Sequence, residues 1–169
     1  MIGVKILGLL LLEGALLAAI LSTALPTWLQ LPLEEEEEGA SSAVYYGLFQ
    51  QCRWDCTTWR VFEDGFEEHW LRASQAMMIL ACVAMAISLL LGLLYAMIFK
   101  DTKAILVASA ITAIAGAGSC AIGIIVFVVK MKEVTQSDWK YHASFGIAVA
   151  SAVISATVGV LFLLICKRK

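Results

Sequence analysis

Four long apolar segments dominate the chain, at residues 6–25, 73–99, 104–129 and 145–166. Each is close to or longer than the about 20 residues that an α-helix needs to cross the hydrocarbon core of a bilayer. Backbone groups inside lipid must be hydrogen-bonded within the segment, which favours helices over any open structure. The pattern therefore predicts a single all-α transmembrane domain spanning residues 1–169.

The first segment has a second interpretation, as a cleaved signal peptide, because it lies near the amino terminus and follows Lys5. However, Glu13 interrupts its apolar run, and no clear small-x-small cleavage site precedes Pro26. These features favour a retained helix, which ends at Pro26 because proline cannot continue it.

Composition supports a membrane environment. Hydrophobic residues make up 61% of the chain and its mean hydropathy is +0.86, more apolar than ordinary soluble domains. The formal net charge of −2 gives no basic field that would attract nucleic acid. Asparagine is absent, which is also compatible with an engineered sequence.

The connections between the spans predict the orientation. Four spans place both termini on one side, and that side carries basic residues close to the helix ends, including residues 167–169. The positive-inside rule acts most strongly at such positions, so we expect both termini in the cytoplasm. The loops at residues 26–72 and 130–144 would then be extracellular, although six basic residues fall on each side.

The 47-residue first loop has the pattern of a small β-sheet. Residues 28–31 alternate apolar and polar positions, and residues 45–52 and 56–62 are aromatic-rich and β-branched runs joined by a three-residue link. A disulfide between Cys52 and Cys56 would clamp this hairpin, with two free thiols as the alternative. From Phe62 onward the spacing of Phe66 and Trp70 predicts a short helix that continues into the second span.

Small residues recur every fourth position in each span, which would allow close approach of neighbouring helices in lipid. The cysteines within the spans fit the same packing role, and Cys166 beside the basic tail is also a candidate for palmitoylation. The stripes comprise Gly14, Ala18 and Ser22; Ala84, Ser88 and Gly92; Ser119 with Gly123 and Gly116 with Cys120; and Ser151, Ser155 and Gly159.

Glu13 is an intramembrane carboxyl group and needs a partner or a route to water. We expect it near the cytoplasmic end of the first helix, facing the bundle interior and hydrogen-bonded to serines or threonines. A functional role in ion contact or partner binding is the alternative.

The loop motif resembles a known family. Trp28 after the first span, the run Gly47-Leu48-Phe49 and the cysteines that follow are similar to the W…GLW…C…C signature of the claudin superfamily, which includes claudins, peripheral myelin proteins and epithelial membrane proteins. Residues 75–80 (QAMMIL) resemble the peripheral myelin and epithelial membrane branch. The chain departs from the signature in having Phe49 where tryptophan is usual, and only three residues between the cysteines.

The resemblance implies a left-handed four-helix bundle with a small extracellular antiparallel β-sheet, docked through Trp28, Gly47, Leu48 and Phe49. It also implies a structural protein that forms homo-oligomers in cis and in trans and contributes to cell–cell junctions or membrane organisation. Loop carboxylates would then favour cations at a paracellular barrier or pore. The alternative is that the glutamates at residues 34–38 only keep the loop soluble. The candidate ion-facing acids are Glu34, Glu35, Glu36, Glu37, Glu38, Asp55, Glu63 and Asp64.

Two other functions are alternatives to a structural role at cell–cell junctions. Gamma-type relatives suggest an accessory subunit that modulates an ion channel or receptor, with a membrane-protein partner. A thiol oxidoreductase is disfavoured because the cysteine spacing is C-x3-C inside a predicted hairpin rather than C-x-x-C at a helix end. The sequence contains no H-E-x-x-H and no G-x-S-x-G, so we expect no enzyme, no metal and no cofactor.

Overall fold

The computed structural model describes residues 2–32, 43–52, 56–58, 69–98, 102–135 and 140–168. Four helices account for most of them: α1 (Ile2–Ala24), α2 (His69–Met97), α3 (Lys103–Thr135) and α4 (Ala143–Arg168). All four are long and apolar enough to cross a membrane. The predicted four-helix transmembrane architecture is therefore confirmed.

The helix ends follow local chemistry. In α1 the last turn is completed by the Leu25 amide, which donates to the carbonyl of Leu21 at 3.0 Å, and Pro26 follows without an amide hydrogen. Helix α3 continues to Thr135, beyond the predicted limit at residue 129. Its 33 residues extend for about 50 Å, which is longer than the hydrocarbon core of a bilayer.

A five-stranded antiparallel sheet lies at the end of the bundle where α1 ends and α4 begins. Its strands are β1 (Leu29–Pro32), β2 (Ala43–Tyr46), β3 (Gln50–Cys52), β4 (Cys56–Thr58) and β5 (Lys140–Tyr141), in the order β4-β3-β2-β1-β5. The central pair β1–β2 is fixed by the register Leu29↔Tyr46. The sheet thus joins the first loop to the segment before α4.

Two expectations about this sheet need correction. The run at residues 45–52 is not one strand, because residues 47–49 bend and divide it into β2 and β3. Strand β5 was not predicted, yet it covers the outer edge of β1 through the pairs Leu29↔Tyr141 and Gln30↔Lys140. The helix expected at residues 62–68 lies outside the described residues.

The helices approach closely through glycines, most clearly between α2 and α3. A Cβ added at Gly116 would lie 3.2 Å from the carbonyl oxygen of Ala81, and one at Gly123 would lie 3.3 Å from that of Ser74. Between α3 and α4, a Cβ at Gly159 would lie only 3.0 Å from a carbonyl oxygen of α3. Backbones at this separation leave no room for larger side chains, which is how helices associate in lipid.

Candidate functional site

The sheet is fastened to the bundle through Trp28, which is fully buried between them. Its indole Nε1–H donates a 2.6 Å hydrogen bond to the carbonyl of Ser22 in the last turns of α1. Its backbone amide donates to the carbonyl of Tyr46 at 3.1 Å, and its own carbonyl accepts from the amide of His142 at 3.0 Å. One residue therefore connects α1, β2 and the segment that precedes α4.

An aromatic cluster supports Trp28 from the bundle side. The ring of Phe127 in α3 is fully buried and meets Trp28 edge-on, with ring centroids 5.2 Å apart. Trp70 at the start of α2 contacts the same phenyl ring at 6.1 Å. Aromatic pairs in such tilted and edge-to-face arrangements add stability beyond the burial of their surface.

The bend at residues 47–49 brings the first loop down onto the bundle. The Gly47 amide donates to the carbonyl of Gln50 at 2.8 Å, which closes the turn. Leu48 is fully buried, and its carbonyl accepts a 3.0 Å hydrogen bond from Nε2 of Gln75 in α2. Phe49 is half-buried against the same core.

Gly47 marks the closest approach between the sheet and the end of α1. A Cβ at this position would lie 2.5 Å from Cα of Pro26 and 3.0 Å from the carbonyl oxygen of Leu25. Both neighbours are backbone atoms, so the contact cannot be relieved by moving a side chain. Only glycine fits here without a shift of the main chain.

A second fastening connects the start of the sheet to α4. The hydroxyl groups of Thr27 and Ser144 share a 2.6 Å hydrogen bond, and the Ser144 amide donates to the Thr27 carbonyl at 3.1 Å. On the sheet itself, the Tyr45 ring packs edge-on against His142 at 5.5 Å. The sheet is therefore held by α1, α2 and α4 together.

The predicted disulfide between Cys52 and Cys56 is present, and it joins the two residues that face each other across β3 and β4. Cys52 also pairs with Tyr45 of β2. The bridge thus clamps the outer hairpin, one strand away from the strands that contact the bundle.

Serine hydroxyls connect the helices inside the bundle by donating to backbone carbonyls of neighbouring helices. Ser88 and Ser109 donate to each other's carbonyl oxygens at 2.7 and 2.8 Å. Ser74 donates to the carbonyl of Gly123 at 2.7 Å, which also joins α2 to α3. Helix α4 is fixed on two sides, by Ser151 to Ala15 at 2.7 Å and by Ser155 to Ala113 at 3.0 Å.

The first helix departs from expectation at two positions. Gly14 is exposed, and a Cβ there would meet nothing within 4 Å, so it is not a packing residue of the bundle. Glu13 is also exposed on the outer side of α1 rather than facing the interior. Because α1 begins at Ile2, Glu13 lies at its middle, about 16 Å from either end, and not near one end.

The candidate ion-facing acids Glu34, Glu35, Glu36, Glu37, Glu38, Asp55, Glu63 and Asp64 lie outside the described residues. Among the residues that the structure describes, no group of three or more histidine, cysteine or acidic side chains could hold a metal ion.

The sequence did not predict three contributions to this structure: Phe127, Gln75 as a donor to the loop, and the serines as hydrogen-bond donors. Ser88, Ser151 and Ser155 were expected only as small packing residues. The hydrogen bonds of the serines could have been anticipated, because a hydroxyl group within an apolar span needs an acceptor. The role of Phe127 could not have been anticipated, since a phenylalanine in a span is as compatible with lipid as with a protein core.

Comparison with known proteins adds one match. The family model described as the PMP-22/EMP/MP20/Claudin family matches residues 2–162. A comparison with curated proteins found no match. The matched range contains the residues that attach the sheet to the bundle, from Ser22 to Ser144, and both cysteines of the disulfide.

Proposed function

Because the chain belongs to the PMP-22/EMP/MP20/Claudin family, we propose that it is a structural membrane protein that self-associates and contributes to cell–cell junctions or membrane organisation. In this proposal it lies in the plasma membrane with both termini in the cytoplasm. The sheet then faces the extracellular space, together with the loops at residues 26–72 and 130–144.

The fastening of the sheet to the bundle is the observation that carries the proposal. Trp28, Leu48 and Ser144 connect the sheet to three different helices, so its orientation relative to the helix bundle is fixed. A surface that is held rigidly loses little conformational entropy when it meets a neighbouring copy or a partner on another cell. Such a protein is suited to adhesion rather than to the binding of a flexible ligand.

The charge of the first loop suggests a cation preference at such contacts. Residues 26–72 contain ten acidic residues and three arginines. If copies assemble into a paracellular barrier or pore, the surplus of carboxylates attracts cations and repels anions. The five consecutive glutamates at residues 34–38 supply half of this charge.

The test uses two populations of junction-deficient cells, one expressing the chain with a green label and the other with a red label. We expect both labels to concentrate at red–green contacts, and neither to concentrate at contacts with non-expressing cells. A variant with residues 34–38 replaced by glutamine keeps this accumulation but loses cation preference in dilution-potential measurements across a cell layer.

A diffuse signal at every contact would contradict the adhesive proposal and leave the alternative, an accessory subunit of a channel or receptor. That alternative predicts that the chain co-purifies with a channel or receptor from non-contacting cells. Unchanged ion selectivity in the glutamine variant would contradict only the proposed role of the loop charge.

A further inference from the structure

An intramembrane carboxyl group faces outward from α1. Glu13 lies inside the apolar span Ile6–Ala24, and its side chain is exposed. It makes no hydrogen bond or ion pair with any other residue within the described parts of the chain. An ionisable side chain in contact with hydrocarbon is costly unless polar groups surround it. Since the described residues provide none, polar groups of another molecule would stabilise this carboxyl group.

The bundle itself cannot supply them. The inward face of α1 is formed by buried residues that include Leu12, Ala15 and Ala19. At about 100° per residue, Glu13 projects about 140° away from the mean direction of that face. No side-chain rotation brings its carboxyl group into the interior.

The outward face has the spacing of a helix-pairing seam. Exposed residues recur at alternating intervals of four and three, which is the 3.5-residue repeat of paired helices. The seam consists of Gly3, Leu7, Leu10, Gly14, Leu17, Leu21 and Ala24. It runs the full length of α1, and Glu13 lies directly beside its central residue.

We propose that two copies of the chain pair in the membrane through this face of α1, with Glu13 of each copy beside Gly14 of the other. Copies inserted in the same direction have parallel α1 helices related by a two-fold axis along the membrane normal. Glu13 and Gly14 lie about 50° to either side of the line between Leu10 and Leu17. The two-fold axis places the Glu13 side of each α1 helix against the Gly14 side of the α1 helix in the other copy. Glu13 of one copy therefore meets Gly14 of the other at nearly the same depth in the membrane.

Gly14 would leave its backbone accessible to Glu13 of the other copy. A Cβ there would meet nothing within 4 Å of the chain, so packing within one copy does not require a glycine. Across the pair, the missing side chain uncovers backbone groups to which the carboxyl group of Glu13 can hydrogen-bond. The inference rests on the proposed self-association and names the face that performs it.

The first test measures Förster transfer between labelled copies of the full chain in phosphatidylcholine vesicles, as a function of the protein-to-lipid ratio. We expect Glu13→Leu and Gly14→Leu each to raise the dissociation constant of the pair by about three- to twentyfold, the range that corresponds to one interhelical hydrogen bond. Glu13→Gln should lose less affinity than Glu13→Leu, because an amide still hydrogen-bonds.

Gly118→Leu is the matched control, because Gly118 is also exposed in a span and a Cβ there also meets nothing within 4 Å. It should pair like the wild type. Equal affinity of wild type, Glu13→Leu and Gly14→Leu would overturn the inference, as would an equal loss in Gly118→Leu.

A second measurement locates the face by oxidative cross-linking. Leu17 and Val153 are exposed to similar extents, 55% and 59%, on α1 and α4. We expect Leu17→Cys to form a cross-linked dimer in vesicles above the wild-type background and Val153→Cys not to do so. If the wild type stays monomeric in vesicles but accumulates at cell contacts, the pairing through α1 is contradicted and the adhesive proposal is not. Pairing through α1 without accumulation would instead contradict the adhesive proposal.

Discussion

Trp28 and Gly47 set how closely the sheet approaches the bundle, and they do so in opposite ways. Trp28 fills the space under the sheet, and its indole N–H is satisfied by the Ser22 carbonyl. A buried donor without such an acceptor would destabilise the fold. Gly47 leaves space empty, so that the loop can rest against the backbone of Pro26.

Gly47→Ala tests this close approach. The added methyl group would lie 2.5 Å from a backbone atom, so the loop must move away from α1. We expect the free energy of unfolding in mixed micelles to fall by about 1–3 kcal/mol, as for other overpacked positions. The control is Gly146→Ala in α4, where a Cβ meets nothing within 4 Å. Equal stability of both variants would show that the contact is not tight.

At the level of helices, hydroxyl-to-carbonyl hydrogen bonds hold together elements that gain no hydrophobic stabilisation from each other in lipid. Ser88 and Ser109 form a reciprocal pair of this kind between α2 and α3. Ser151 and Ser155 place α4 against two different helices. The bonds of Ser74 and Ser155 lie in regions where Gly123 and Gly159 allow the backbones to approach closely.

Ser88→Ala and Ser109→Ala should each lower the free energy of unfolding by about 0.6–1.7 kcal/mol. The double substitution should not cost the simple sum, because the two hydroxyl groups also lie 3.2 Å apart and residues in one hydrogen-bond network are energetically coupled. Thr157→Val is the control, since the Thr157 hydroxyl donates within its own helix, to the Val153 carbonyl at 2.8 Å, and to no other helix among the described residues. Losses no larger than in this control would mean that the serine pair does not hold α2 to α3.

The spans could be predicted from the sequence to within a few residues at most ends, because the length of an apolar run is a local property. The direction in which each residue faces could not. Glu13 and Gly14 face outward because α1 rotates to bury Leu12 and Ala15 against its neighbours, and that rotation depends on all the helices at once. Strand β5, with two residues, has no periodicity to detect.

The attachment of the sheet to the bundle could be predicted only in part. Trp28, Gly47 and Leu48 could be named through the resemblance of their motif. Their acceptors and supports could not, because the Ser22 carbonyl is a backbone atom and Phe127 lies 99 positions further along the chain. Contacts between distant parts of one chain leave no local pattern.

On the scale of the whole molecule, most attachments between sheet and bundle lie at residues of, or next to, β1, β2 and β5, and Leu48 and Phe49 add contacts just before β3. The disulfide joins β3 to β4 in the outer hairpin. The aromatic cluster beneath Trp28 belongs to the same buried core as the helices. The inner part of the sheet is therefore continuous with the bundle, and the outer hairpin depends more on its own cross-link.

This division predicts what removal of the disulfide does. In Cys52→Ser/Cys56→Ser, we expect hydrogen exchange to increase at Gln50–Cys52 and Cys56–Thr58, while Leu29–Pro32 and the helices keep their protection. The closed loop is short, so the lost constraint on the unfolded chain amounts to about 2 kcal/mol, enough to loosen a hairpin but not to unfold the bundle. Cys82→Ser, which removes a free thiol in α2, should leave exchange in the hairpin unchanged. If the helices of the double variant also lose protection, this prediction is contradicted. The disulfide would then stabilise the hairpin and the bundle as one cooperative unit.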